Sequence, residues 1–140
     1  MSGNMATADM YKENILDHYK HPRNRGRIAH ADSEAHDSNP LCGDDITYQL
    51  TFENGRVSDI KFEGSACAIC LASASMLTEE IAGKSIERAR AFKKEQLLST
   101  LGIDPGPARL KCALLPLKVM KLAVYKYLGK KMTEEDEKLV

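Results

Sequence analysis

The chain has 140 residues, 43% hydrophobic, 29% charged and 6% aromatic, and its 20 Lys and Arg balance its 20 Asp and Glu, for a formal net charge of zero. That length suits one domain with a core that needs no covalent staples, and neutrality excludes the basic footprint of a whole-chain nucleic-acid binder. No run approaches the roughly 20 apolar residues that span a membrane. Met1–Met10 has no apolar run behind a basic start, so no signal peptide is expected and a cytoplasmic location is.

In chain order, Thr7 caps a first helix running to about Tyr19, with Tyr11, Ile15, Leu16 and Tyr19 on one face. Pro22 to Gly26 stops it. Residues 27–41 are polar and aperiodic and read as a long loop with at most one short strand. Ile46, Tyr48, Leu50 and Phe52 alternate with Thr47, Gln49 and Thr51, the period of a half-buried strand. Asn54-Gly55 is a hairpin turn. The return strand spans Arg56 to Glu63, with Val57 out of phase and a bulge therefore expected.

Cys67 to Ala82 reads as a helix rich in small residues, dense enough to let another backbone come close, and Gly83 ends it. Ser85 starts a helical stretch to Leu101, breaking near residues 91–93. A last helix is expected from about Ala108 to Leu128, where Pro116 either kinks it or marks its start. Residues 130–140 read as a flexible charged tail beyond a core of about 10–128. The order helix, loop, antiparallel strands, helices predicts an α+β fold, a small antiparallel sheet with helices on one face, in a single domain over 1–140.

The chemistry lies in four cysteines. Without an export signal a disulfide framework is disfavoured, and metal binding or thiol chemistry is expected instead. Cys42 precedes the first clear strand, Cys67 lies where the return strand gives way to a helix, and Cys112 lies near the start of the last helix. A hairpin brings its outer ends together, so Cys42 and Cys67 are neighbours; Cys112 joins them if the last helix crosses that end. Helix N-termini favour thiolates, a prospect read for both Cys67 and Cys112, with Arg109 and Lys111 adding positive charge. Asp44 follows Cys42 by two residues and can share one ion with it.

Three thiolates and a carboxylate make a plausible tetrahedral zinc set. Iron–sulfur clusters prefer thiolates throughout, so one held partly by Asp44 is expected to be exchangeable. Cys70, one turn beyond Cys67, reads chiefly as packing, and His18 and His21 as surface or packing residues. His36 is a minor candidate for an outer ligand.

Several segments together resemble the IscU/SufU/NifU-N family of iron–sulfur cluster assembly scaffolds. They are Tyr11 to Asn24 with its Pro-Arg-Asn exit, Asn39-Pro40-Leu41-Cys42-Gly43-Asp44, Phe62 to Cys67 followed by Ala72 to Ser75, and Arg109-Leu110-Lys111-Cys112-Ala113. The resemblance covers about residues 10–128. It implies that Cys42, Asp44, Cys67 and Cys112 line one exposed site. It also implies sulfur received as persulfide, on Cys42 or Cys112, from a cysteine desulfurase. A transient two-iron–two-sulfur cluster would be built with an iron donor and passed to apo-proteins, and zinc would occupy the isolated protein.

The chain also departs from the family pattern. Lys111 stands where IscU-type members carry His, and Arg-x-Lys-Cys looks SufU-like. Yet Cys67 and Cys112 are only 45 positions apart, too close for the SufU-type insertion. Asp104 to Ala108 replaces the chaperone-recognition segment of IscU, Ala66 replaces a glycine, and Cys70 is an extra thiol. Three functions follow in order of preference: a cluster assembly scaffold, a SufU-like zinc-dependent sulfur acceptor that stimulates a desulfurase, and a zinc-stabilised interaction module.

Overall fold

The alternation of apolar residues between Ile46 and Phe62 organises the molecule, because it gives one sheet a single dry face. In the computed structural model, which describes residues 3–139 and side chains from Lys12 onward, the chain runs α1 (Gly3–Lys20), β1 (Ser33–Asn39), β2 (Asp44–Glu53), β3 (Arg56–Ser65), α2 (Ala68–Ile81), α3 (Ile86–Ala91), α4 (Lys94–Leu101), α5 (Gly106–Leu128) and α6 (Glu134–Glu137). The three strands form one antiparallel sheet in the order β1-β2-β3. The fold is α+β, as expected.

Ile46, Tyr48 and Leu50 on β2 meet Val57, Ile60 and Phe62 on β3, all buried in one core with residues of α2 and α5. Asn54 (φ 54°) and Gly55 (φ 75°) both take the left-handed region that a two-residue hairpin requires. Val57 is buried despite being out of phase, because the register shifts between Thr51 and Phe52, so that Thr51 faces Asp59 and Phe52 faces Val57. The extra residue, Ser58, absorbs the phase change.

α2 is dry along most of its length, with Cys70 to Thr78 all buried. Its small side chains admit α1 on one side and α5 on another. The hydroxyls it carries inward are satisfied: Ser73 Oγ donates to the Ala113 carbonyl at 2.7 Å and Thr78 Oγ1 to the Ser75 carbonyl at 2.6 Å, while the Tyr48 hydroxyl of β2 donates to the Ala74 carbonyl of this helix at 2.7 Å. Ser75 Oγ accepts from the Arg23 N–H at 2.8 Å and lies 2.7 Å from His18 Nδ1. His18 is thus a packing residue, and burial holds its pKa below the ordinary imidazole value.

Several expectations change. α1 begins at Gly3, so Thr7 lies within the helix rather than at its cap. Among the described side chains of α1, Ile15 and His18 are buried, whereas Leu16 and Tyr19 are exposed; the side chain of Tyr11 lies outside the described residues. β1 is a full seven-residue strand despite its polar sequence, because β2 supplies a ladder that backbone groups alone can fill. α5 runs through Pro116 without ending. Pro116 has no N–H to give the carbonyl four residues earlier, that of Cys112.

Residues 130–139 also pack rather than trail. Asp136 is buried, accepting from Lys121 Nζ at 2.8 Å and from the Tyr125 hydroxyl at 2.7 Å, while Lys121 Nζ also donates to the Arg90 carbonyl at 2.9 Å. Leu139 joins the core. A charged run reads as tail until its one buried carboxylate finds a buried lysine 15 residues earlier.

Two outcomes are expected. Burial raises the Asp136 pKa, but Lys121 and Tyr125 together outweigh it and hold the carboxyl below its usual value. Asp136→Asn leaves Lys121 buried without its counter-charge and costs about 3 kcal/mol at neutral pH. Because the folded pKa is depressed, that contribution is complete above the unfolded carboxylate range and fades as pH falls through the folded value. Urea melts of the two proteins converge as pH drops from about 5 toward 3, and a gap independent of pH would contradict the ion pair. Gly64 has φ +152°, and a Cβ there would sit 2.0 Å from the Asp45 carbonyl oxygen. Gly64→Ala should therefore lower stability by at least about 2 kcal/mol in the same assay; an unchanged midpoint would show that the strand end can yield.

Candidate functional site: a thiol and carboxylate cluster

The site forms where the outer ends of the hairpin meet the start of α2 and the flank of α5. Asp44 is the first residue of β2. Its side chain falls on the same face as Ile46, Tyr48 and Leu50, because residues two apart on a strand point the same way. It is therefore carried inward and is 1% exposed. A buried carboxylate needs donors, and Asp44 Oδ1 accepts the Cys67 backbone N–H at 2.9 Å. Cys67 is the N-cap of α2, so the carboxylate also faces the positive end of that helix.

Cys42 sits in the tight loop between β1 and β2, where Gly43 (φ 74°) completes the turn. Cys42 is exposed and Cys112 buried. Their sulfurs lie 3.1 Å apart, with the Cys112 thiol as donor, and both cysteines are free. α5 does cross the end of the hairpin, as joining the cysteines required.

Among the described residues, Cys42, Asp44 and Cys112 form a metal-capable group, their ligand atoms all within 4.8 Å of one another. Cys67 stands beside that group rather than within it, its Sγ 3.9 Å from Asp44 Oδ2. Cys70 is fully buried in the core, and burial pushes its thiol pKa up; it is a packing residue. His36 is exposed and pairs with Asp45 at 2.9 Å rather than with the cluster.

The expected placement of Cys112 at a helix N-terminus is corrected. α5 starts at Gly106, so Cys112 lies nearly two turns inside, beyond reach of the end charges. Burial, then contacts with Asp44 and Cys42, raise its pKa instead. Arg109 and Lys111 are exposed beside it. A thiol in this setting gives up its proton when a cation replaces it.

The donor set fits a thiophilic cation. Zinc–sulfur bonds of about 2.3 Å put tetrahedral ligands ~3.8 Å apart, within the spread of the three atoms. Two soft sulfurs and a hard carboxylate, with a third sulfur adjoining, suit zinc or iron rather than calcium or magnesium. The exposed Cys42 leaves one side open to solvent. Reading by residue type alone missed Asn39, the end residue of β1, whose side-chain amide donates to Cys42 Sγ at 3.6 Å. Its signal was its place in the Asn-Pro-Leu-Cys-Gly-Asp segment.

Comparison with known proteins gives the chain its relatives. Residues 10–134 match the NifU-like N terminal domain. The chain is 37% identical over 147 residues to the zinc-dependent sulfurtransferase SufU of Bacillus subtilis, covering 92% of this chain and 99% of that protein. It is 35% identical over 124 residues to the iron–sulfur cluster assembly scaffold protein IscU of Haemophilus influenzae, covering 86% and 97%. The crystal structure of a putative iron–sulfur cluster assembly scaffold protein for the SUF system from Fervidobacterium islandicum superposes with a TM-score of 0.68 at 29% identity, covering 84% of this chain and 98% of that one. A nitrogen-fixing NifU-like protein from Brucella abortus shares the fold with a TM-score of 0.74. On its family match, its relatives and its fold, the chain belongs to the NifU-like N-terminal domain family, that of the IscU and SufU iron–sulfur cluster assembly proteins.

Proposed function

We propose that this protein is a cytoplasmic scaffold that takes sulfur from a cysteine desulfurase, assembles a labile two-iron–two-sulfur cluster on Cys42, Asp44, Cys67 and Cys112, and hands it to apo-proteins. The observation that carries the reading is the convergence of Cys42, Asp44 and Cys112 at a solvent-open end of the sheet. Cys42 is the group a bulky donor can reach. Its thiolate attacks the outer sulfur of the donor persulfide; a new sulfur–sulfur bond forms, the donor's breaks, and the donor cysteine leaves as thiolate. Cys112, on the same side and 3.1 Å away, is the neighbouring thiol to which that sulfur can pass. Reducing the sulfur to sulfide takes two electrons from a separate donor.

Asp44 suits release. A carboxylate binds a cluster less firmly than a thiolate does, and this one already spends Oδ1 on the Cys67 N–H. The arrangement therefore favours delivery over permanent electron carriage.

A second reading is a zinc-dependent sulfur acceptor that stimulates a desulfurase without building a cluster. Lys111 before the last cysteine and the 37% identity to a zinc-dependent sulfurtransferase favour it. The spacing of only 45 positions from Cys67 to Cys112 favours the scaffold.

Anaerobic incubation with desulfurase, cysteine, ferrous iron and reductant separates the two. The scaffold reading expects a visible cluster absorbance on this chain that Cys42→Ala loses. Persulfide on Cys42 with bound zinc and no chromophore would instead establish the sulfur acceptor. For Asp44→Ala, transfer of the assembled cluster to an apo-ferredoxin is expected to slow, because the weaker ligand that lets the cluster depart is gone. Faster loss of the cluster from Asp44→Ala would contradict the release role.

A further inference from the structure

We infer that Asn39 is a positioning residue for this site, its side-chain amide holding the Cys42 sulfur in the direction of Cys112 while its other polar atoms fold the loop that carries Cys42. The inference rests on the site assigned above and adds a residue to it.

Asn39 closes β1 and pairs across the ladder with Asp44, so one residue sits opposite one ligand candidate and three positions before another. It is 5% exposed, and its polar groups point into the loop. The backbone carbonyl accepts from the Cys42 N–H at 3.2 Å and from the Gly43 N–H at 2.9 Å. Oδ1 accepts from the Leu41 N–H at 3.2 Å, closing an Asx turn. The NH2 group is left facing Cys42 Sγ at 3.6 Å.

That orientation is not interchangeable. Flipping the amide would turn its NH2 toward the Leu41 N–H, donor against donor, and its oxygen toward sulfur. The contact to sulfur is therefore donated by nitrogen. An amide N–H has no lone pair to offer a thiol proton, so it serves an electron-rich sulfur best, whether a thiolate or a sulfur bound to a cation. The Cys112 thiol donates to the same sulfur at 3.1 Å. Although Cys42 is exposed as a residue, its sulfur is thus pinned between two donors. Leu41, 83% exposed, carries the outer surface of the loop.

A turn former alone does not require asparagine, since Ser and Asp also supply the acceptor for an N–H two residues on. Neither places a donor at the sulfur: the serine hydroxyl is too short, and the aspartate offers oxygen. Asn39→Ser and Asn39→Asp therefore separate the turn from the sulfur contact.

The full-length, reduced, metal-free protein is examined by NMR through the Hα–Hβ couplings of Cys42. Wild type is expected to show one χ1 rotamer. Both variants are expected to show averaging, while the Cys42 and Gly43 amide shifts stay near wild type because the turn persists. Cobalt(II) then reports on the sulfur itself. Asn39→Ser should bind it about tenfold more weakly, with the thiolate-to-cobalt charge-transfer band moved to longer wavelength, since the lost hydrogen bond had lowered the sulfur electrons in energy. A single Cys42 rotamer in both variants, averaging in wild type, or weaker cobalt binding with the band unmoved would overturn the inference. A wild-type protein with no thiolate-to-cobalt band would instead count against the metal site, and the rotamer result would still decide the role of Asn39.

Discussion

The site depends on one hydrogen bond, from the Cys67 backbone N–H to Asp44 Oδ1. It ties the first residue of the central strand to the first turn of the small-residue helix. The carboxylate is buried because strand parity puts it in line with Ile46, Tyr48 and Leu50. Left alone there it would cost several kcal/mol; the helix N-terminus offsets that cost and in return has one of its free N–H groups satisfied. Cys42, Cys67 and Cys112 are arranged around this join.

Two kinds of support then meet. Cys112 is delivered by a long helix locked against the sheet and α2, so it is fixed and dry. Cys42 is delivered by a four-residue loop whose geometry is set by Asn39 and Gly43, so it is fixed in direction yet open to a partner. The combination gives an entrance and an anchor within 3.1 Å. A mixed sulfur and oxygen donor set suits cargo that must arrive and leave better than a permanent structural metal, which is more often enclosed by four strong ligands.

Much of this was legible in the amino-acid order. The β2–β3 alternation, Asn54-Gly55 and the out-of-phase Val57 gave the hairpin and its bulge, and the hairpin pointed to Cys42 and Cys67 at one end of the sheet, where the structure has Asp44 bonded to Cys67. Ser85 gave the start of its helix, which the structure keeps. What escaped were features set by distant partners. β1 is polar, and pairing with β2 makes it a strand. The inward face of α1 is fixed by Ser75 on α2, which selects His18 over Tyr19. Asp136 is buried because Lys121 waits for it. The depth of Cys112 in α5 was hidden because Gly106-Pro107 starts the helix earlier than the turn-rich sequence suggests. Asn39 was overlooked because its amide acts through a neighbour's sulfur rather than as a ligand.

Zinc K-edge absorption on the zinc-loaded, full-length protein tests the central claim most directly. Ligation by Cys42, Asp44, Cys67 and Cys112 requires a first shell of three sulfurs at about 2.3 Å and one oxygen at about 2.0–2.2 Å. A shell of nitrogen and oxygen alone, or of four sulfurs, would contradict it, the first by removing the thiols from the site and the second by replacing Asp44 with Cys70.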